Sequence, residues 1–475
     1  MFIGRKKELE SLEKSYKKPG FSMTVITGRR RIGKSTLIKE FIKGKKAVYY
    51  TATKIGSERN LELLSEQLSF ALEPSLSGIH FGTIERLFDF LTARLGDEKL
   101  IFVIDELPYW AEKDEGLLSV MQKYIDEKWM DKNLFLILCG SSLSFMEDEV
   151  LSEKSPLFGR RDSQIYLREF DYLEAAEFVP EYSSEDKALC FGVTGGVAKY
   201  LALINPKQDI DTNIKRLMFS TDGYLFDEPH NLLTQEFSDI SLVNDVIEQV
   251  AAGQNTLNLI SEKTHESAST VSYSLKRLIS VGLIEKKFCI GEEKNKKKVQ
   301  YVLKDSMFRF WYRFVPEAVS IIELGGGGEY YDKVVKPQLH DFMGKVFEGM
   351  CQHFTLLKGI IGEWSIFLNK AGSWWGTETI TDKNGRKRAQ SADIDVVGIS
   401  DADRSMVVGE CKFKNEPIDQ SVYDTLLRRS HAIPISYPVR KYLLFSLSGF
   451  TDWYKTNQND AVELYTLEDM YTKNL

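Results

Sequence analysis

The sequence predicts a multidomain α/β protein. A parallel sheet built around a glycine-rich loop carries a helical lid; a helix-turn-helix with a β-hairpin follows, and then a second α/β domain. Three observations carry this. Met23 to Glu40, MTVITGRRRIGKSTLIKE, passes from a short apolar run through spaced glycines into a helical pattern. Leu100 to Glu106, LIFVIDE, is a continuous apolar run of the kind buried on both faces in a parallel sheet. Ala392 to Ile399 (ADIDVVGI) and Met406 to Phe413 (MVVGECKF) alternate as strands while carrying acids.

The 475 residues exceed one hydrophobic core, and about two to four domains are expected. The boundaries fall near 1–165, 166–238, 239–305 and 306–475. With 43% hydrophobic and 28% charged residues the composition is globular. A net charge of -7 excludes a globally basic nucleic-acid binder, so such contact must come from a local patch. Cys139, Cys190, Cys289, Cys351 and Cys411 show no paired spacing, which argues for a reducing compartment and against a zinc site. The opening MFIGRKKELESL is charged and amphipathic, unlike a signal peptide, and no run reaches membrane-span length. A cytoplasmic protein is expected.

Phe2 to Tyr16 has helical spacing, with Leu9, Leu12 and Tyr16 on one face. Its first residues, Phe2 to Arg5, suit either a wall of an adenine pocket or plain packing. In the loop, Gly28 and Gly33 permit tight turns and close approach to phosphate oxygens. The amides of Arg29, Arg30, Arg31 and Ile32 and of the helix start face the anion. Lys34 supplies a point charge to the outer phosphates; Ser35, followed by Thr36, places a hydroxyl for Mg²⁺. Arg29 and Arg30 are expected as solvated side chains. The pattern implies ATP and Mg²⁺ as cofactors.

Lys46 to Ala52 is β-rich, and helices follow near Asn60–Leu72 and Thr83–Leu95. Asp105 and Glu106 end a strand about seventy residues after the loop, where ligands bind in open α/β sheets. Asp105 is expected to hold Mg²⁺ through water and Glu106 to orient and deprotonate the attacking water. Leu134 to Cys139 is a further buried strand, followed by Gly140 and Ser141. Ser141 suits sensing of the γ-phosphate or the lytic water; the other reading is a serine capping the next helix. In SPLFGRR, Arg160 is a candidate arginine finger or a surface arginine pairing with local acids. A finger acting in trans would require a homo-oligomer.

Helical patterns from Asp171 to Asp239, broken at Gly195-Gly196, form the lid. Leu242 to Val302 reads as three helices, a charged turn and a returning strand, a winged helix. Its third helix carries Ser269, Thr270, Ser272, Tyr273, Ser274, Lys276 and Arg277, suited to phosphates and bases. Lys294, Lys296, Lys297 and Lys298 occupy the wing, where a charge run meets a DNA backbone; the bland reading is a solvated turn. Asp305 to Val315, DSMFRFWYRFV, is expected as a buried helix. Gly325 to Gly328 reads as a linker.

In the last segment, Gln338 to Gln352 is a helix containing Glu348, and Lys383-Asn384-Gly385 signals a hairpin. Glu410 and Lys412 lie on one face of their strand. With Asp395, or with Asp393 two residues before it, Glu410 can hold a divalent metal while Lys412 activates water or stabilises phosphate charge. A helix at Gln420–Arg429 and a strand at Lys441–Phe445 complete an αβββαβ core.

The GRRRIGKS loop, VIDE strand and CGSS strand resemble the archaeal-type ATPases among the AAA-related P-loop NTPases, a family also found in bacteria. The resemblance covers roughly Met1 to Phe237. DSMFRFWYRFV, Trp374-Trp375 and the IDVV…VGECKF pattern resemble the C-terminal domain commonly fused to these ATPases, itself similar to PD-(D/E)XK nucleases. That resemblance implies a restriction-endonuclease-like α/β domain in which Asp395, Glu410 and Lys412 match the nuclease signature and Glu348 the helix glutamate. In the lid, Gly195-Gly196-Val197-Ala198 lacks the proline that often follows this glycine pair. An ATP-hydrolysing protein that couples nucleotide state to DNA binding and metal-dependent DNA cleavage is expected; the competing readings are a nucleotide switch for transcription or defence with an inactive nuclease-like scaffold, and a protein-interaction ATPase without DNA affinity.

Overall fold

The computed structural model describes residues 2–76, 78–237, 239–381 and 387–472. It divides into two compact units, the first Met1–Phe170 with Val197–Lys199, the second Asp171–Gly196 with Tyr200–Leu475.

The first unit is a five-stranded parallel sheet. Its strands are β1 (Ser22–Thr27), β2 (Ala47–Thr51), β3 (Leu100–Asp105), β4 (Leu134–Gly140) and β5 (Ser163–Tyr166), in the order β2-β3-β4-β1-β5. Every residue of β1, β3 and β4 is buried. That is why these strands read as unbroken apolar runs: helices cover both faces. One face packs Leu12, Leu37, Ile38 and Phe41 from the helices Lys6–Lys17 and Lys34–Phe41. The other packs the helices Ser57–Leu72 and Ile84–Thr92, with Trp110 and Trp129 fully enclosed. Leu9 and Tyr16 line the first core beside Leu12, as their spacing indicates.

The second unit opens with helices Tyr172–Ala176, Ser184–Thr194, Ile210–Met218 and Glu228–Glu236. Helices Ile240–Ala251, Leu257–Thr264 and Ala268–Ser280 follow, then the antiparallel pair β6 (Ile284–Lys287) and β7 (Gln300–Leu303). Caps fix this order: Thr256 and Ser267 side chains accept backbone N–H groups at the second and third helix starts, and His265 closes the second helix at φ 57. The aromatic helix Ser306–Phe314 buries Met307, Phe308, Phe310 and Phe314, as expected.

The four-glycine run is not a linker. Gly327 begins the helix Gly327–Tyr330, and a Cβ there would lie 2.0 Å from the Phe219 carbonyl oxygen. Composition suggested flexibility; the chain uses the glycine for close packing.

The C-terminal sheet contains β8 (Lys370–Thr381), β9 (Lys387–Ser400), β10 (Ser405–Lys412), β11 (Val439–Ser446) and β12 (Val462–Thr466), in the order β12-β11-β10-β9-β8. β8, β9 and β10 pair antiparallel, whereas β10-β11 and β11-β12 are parallel. The helices Leu339–Ile360 and Gln420–Ser430 pack against it. β8 and β9 pair up to Thr381↔Lys387; the Lys383-Asn384-Gly385 turn lies outside the described residues. No described helix is long and apolar enough to cross a membrane. All five cysteines are free and buried.

Candidate functional sites

The first site forms where β1 and β3 end. Gly28 has φ 149, and a Cβ there would meet the Leu167 carbonyl oxygen and the Ile32 side chain at 2.4 Å each. Gly33 turns the loop into the helix at φ 91. The buried Lys34 ammonium curls back into the loop, donating to the carbonyls of Gly28 (2.8 Å) and Arg29 (2.9 Å). Ser35 Oγ donates to Asp105 Oδ2 at 2.7 Å. A hydroxyl and a carboxylate oxygen therefore converge as the hard oxygen donors that Mg²⁺ prefers, and the residues fit that ion. Thr36 is exposed at the first helical turn.

Tyr49 is the group that sequence reasoning missed. Its hydroxyl donates to the same Asp105 Oδ2, and burial, followed by the Asp105 charge, raises its pKa. The available signal was positional: KAVYYTA is the strand paired beside β3, with Thr51 opposite Asp105. Glu106 stands at φ 53, in the left-handed region, immediately after β3. Its Oε2 accepts both the Ser141 hydroxyl (2.7 Å) and the Ser141 N–H (3.1 Å). The structure thus unites Lys34, Ser35, Asp105 and Glu106 with Ser141. Ser142 stands at the start of the next helix without a side-chain cap bond.

The arginines part company. Arg29 is buried and pairs with Glu169 at 3.3 Å, correcting its expected solvated state. Arg30 donates to the Tyr109 hydroxyl at 2.7 Å. Arg31 takes φ 70, and its carbonyl accepts the Lys199 N–H at 3.0 Å. Ala198 lies 3.4 Å from where a Gly33 Cβ would be, so the segment after the glycine pair adjoins the loop. Arg5 is buried and donates to the carbonyls of Ile32 (3.3 Å) and Arg168 (2.6 Å), the packing alternative for that segment. Arg160 forks onto Asp126 at 2.7 and 2.6 Å and also donates to the Pro156 and Phe158 carbonyls.

On the helix Ala268–Ser280, Ser269, Tyr273 and Lys276 are exposed; Thr270 and Arg277 are half-buried. Arg277 lies 4.7 Å over the Phe237 ring. Ser274 is buried, a correction: its position falls on the helix face that carries Val271, Leu275 and Leu278 inward. Lys296 and Lys297 are exposed on a short 3₁₀ turn. Lys298 is a second correction. Its ammonium pairs with Glu292 at 2.5 Å and donates to the Trp375 carbonyl at 3.0 Å, because the turn packs onto β8. Cys289 and Ile290 enter the C-terminal core there.

The second acidic site lies on β9 and β10. Gly409 pairs with Val396, so Asp395 and Glu410 are the next residues along antiparallel neighbours. Asp395 and Glu410 are both buried. Asp395 Oδ2 accepts the Cys411 N–H at 3.0 Å, and Glu410 Oε1 accepts the Lys412 ammonium at 2.6 Å. Burial, then the charges of Glu410 and Glu348, push Asp395 up to about 7. Burial opposes the Lys412 charge, but Glu410 outweighs it and holds that ammonium above its usual range.

Asp393 does not share these surroundings. It is exposed and pairs with Arg429 at 3.1 Å. The ladder explains part of the difference: between Trp374↔Ile394 and Gly372↔Val397, β9 places Asp395 and Val396 against Ser373 alone on β8. Such a bulge re-aims side chains and commonly borders functional sites. Glu348 instead pairs with Lys345 at 2.6 Å. Among the described residues no group of three His, Cys, Asp or Glu side chains is arranged to hold a metal; the acidic pair Asp395 and Glu410 is what the site offers.

Residues 2–204 match a family described as an ATPase domain predominantly from Archaea. Residues 311–425 match one described as archaeal and bacterial proteins of unknown function. An uncharacterized protein of Methanocaldococcus jannaschii is 26% identical over 474 residues, covering 99% of this chain and 100% of that one. An uncharacterized ATP-binding protein of the same organism is 46% identical over 46 residues, 10% of this chain and 78% of that one. Among solved structures, the Walker-type ATPase of Pyrococcus abyssi aligns with a TM-score of 0.52 at 20% identity, covering 66% of this chain and 96% of that one, a likeness of fold.

Proposed function

Since the chain belongs to the archaeal-type ATPases that carry a fused C-terminal domain, we propose that ATP turnover at its first site controls DNA engagement and metal-dependent DNA cleavage by the C-terminal domain. The observation that carries the first half is the convergence of Ser35 and Asp105 at 2.7 Å beside the Lys34 loop, with Glu106 at the same strand end. The loop amides and Lys34 would bind the phosphates, and Ser35 with Asp105 would hold Mg²⁺, which neutralises phosphate charge when bound. Glu106 takes a proton from the attacking water, its carboxylate oriented by Ser141.

The order of three helices followed by the β6-β7 pair supports a winged-helix reading. Ser269, Thr270, Tyr273, Lys276 and Arg277 with Lys296 and Lys297 are its DNA-facing groups, positioned for phosphate and base contacts. The C-terminal sheet, flanked by Leu339–Ile360 and Gln420–Ser430, supports a PD-(D/E)XK reading. There Asp395 and Glu410 would hold a divalent cation, which polarises the scissile phosphate when bound, while Lys412 steadies phosphate charge.

Cleavage of supercoiled plasmid by full-length protein in Mg²⁺ or Mn²⁺, with and without ATP, tests this. ATP-sensitive nicking lost in Glu410→Ala supports it. The Lys412 ammonium on Glu410 Oε1 at 2.6 Å, occupying an oxygen the cation would use, favours a second reading, a nucleotide switch with a nuclease-like scaffold. No cutting by any protein, with ATP hydrolysis intact and lost in Glu106→Gln, would select that second reading.

A further inference from the structure

A cavity of about 660 Å³ opens beside the C-terminal acidic site, its walls including Lys287, Tyr301, Arg309, Lys345, Glu348 and His353. It brings β6 and β7 against the helix Leu339–Ile360, and it reaches the acidic pair through Gln352, whose amide donates to the Asp395 carbonyl at 2.7 Å. Acids line it too, Asp171 and Glu285 beside Glu348, and within this mixed charge Arg309 and Lys287 stand out. Arg309 donates to Ser306 Oγ at 2.6 Å and lies 5.5 Å over Phe342, but its buried Nε has no hydrogen-bond partner. The Lys287 ammonium makes no hydrogen bond or ion pair among the described residues, and it lies 6.0 Å from the Trp375 ring. Burial, despite the Glu348 and Asp395 charges near it, lowers the Lys287 pKa.

A buried guanidinium nitrogen without an acceptor is costly unless something supplies one. A phosphate does so, and Arg presents the fork that fits it. The volume suits roughly one or two nucleotides, and is far short of a duplex. Tyr301 offers a ring on which a base can stack.

Building on the nuclease reading of Asp395 and Glu410, we propose that this cavity holds a single nucleic-acid strand, with a backbone phosphate on Arg309 and Lys287, and feeds it to the acidic site. The substrate is thereby a single-stranded or frayed end rather than intact duplex. Lys287 and Arg309 act as positioning residues from outside the C-terminal sheet.

The test is fluorescence anisotropy of labelled dT12 and of a matched duplex on full-length protein in EDTA, across salt concentrations. Lys287→Met and Arg309→Gln should each weaken dT12 binding about tenfold and reduce the salt slope by about 0.7, the single-strand value for one phosphate. Arg309→Lys should recover part of the loss, and duplex affinity should move less than about twofold. Should Arg309→Gln fail to fold, Lys287→Met, on a half-buried strand-end position, decides. Unchanged dT12 affinity in Lys287→Met overturns the proposal. So does displacement of dT12 by dTMP as effective as by unlabelled dT12, which assigns the cavity to a free nucleotide. A protein that never cuts plasmid, yet loses dT12 binding in Lys287→Met, refutes the nuclease reading and leaves the cavity assignment standing.

Discussion

Ser141 grips one carboxylate oxygen of Glu106 twice, through its hydroxyl at 2.7 Å and its backbone N–H at 3.1 Å. Only the hydroxyl is removed by Ser141→Ala, and a hydrogen bond to a charged group contributes about 1.5 kcal/mol or more. Ser141→Ala is expected to lower kcat for ATP about tenfold with KM nearly constant. Glu106→Gln should cost about a hundredfold or more while nucleotide binding persists. Steady-state kinetics with a separate binding measurement check both; a Ser141→Ala effect confined to KM would contradict the orienting role.

Tyr49 and Ser35 both donate to the same Asp105 oxygen. Removing the phenol in Tyr49→Phe frees a lone pair without creating a large void. The expected result is a several-fold fall in the Mg²⁺ concentration that half-saturates ATP hydrolysis, with little change at saturating Mg²⁺. An unaltered titration curve would show that Tyr49 plays no part in metal handling.

Asp393 and Asp395 are two residues apart but have different partners. If the C-terminal domain cleaves DNA as proposed, Asp395→Asn is expected to lower cleavage by about a hundredfold or more, as for loss of a metal ligand. Asp393→Asn, which loses an exposed pair with Arg429, should remain within about threefold. Plasmid assays run side by side make the comparison. Equal losses would place both acids in the site.

Glu378 on β8 is buried, and accepts from Arg428 Nε at 2.7 Å and from Gln390 Nε2 at 2.7 Å. Its carboxyl is held below the usual range, first by the Arg428 hydrogen bond. The stabilisation is therefore present above the unfolded pKa of about 4.3 and is lost as pH falls through the lower folded value. Glu378→Gln should lower stability by about 1–3 kcal/mol at neutral pH, and its deficit should shrink in acid. Thermal melts at pH 7 and below pH 4 measure it; a deficit independent of pH would assign the effect to packing.

Gly327 and Gly328 are adjacent and opposite in tolerance. A Cβ on Gly327 runs into the Phe219 carbonyl, whereas one on Gly328 meets nothing within 4 Å. Gly327→Ala should cost about 1–3 kcal/mol, and Gly328→Ala should be neutral or stabilising by up to about 1 kcal/mol. Denaturant melts of the two variants decide between a packed turn and a flexible one.

What the sequence disclosed followed the strength of local patterning. LIFVIDE and LFLILC are long, apolar and flanked by turns, so β3 and β4 were legible, and with them the positions of Asp105, Glu106 and Ser141. β5 and β12, SQIY and VELYT, are short and partly polar at sheet edges, and carried no such signal. Side-chain partners across long separations were the least visible. Arg29 found Glu169, and Lys298 found the Trp375 carbonyl; no local rule connects either pair. The slip in β9 that accompanies the divergence of Asp393 and Asp395 is likewise a property of the pairing with β8, not of ADIDVVGI alone.

The hydrogen bonds from Lys34 to the carbonyls of Gly28 and Arg29 complicate the commonest way of disabling such a loop. A neutral replacement deletes the cation and, in the same stroke, strips two buried acceptors of their donor. An inactive Lys34→Ala protein then reports a collapsed turn and a missing charge as one number, and a phenotype built on it has two explanations. Ser35→Ala leaves both carbonyls satisfied, so comparing the two separates chemistry from scaffold.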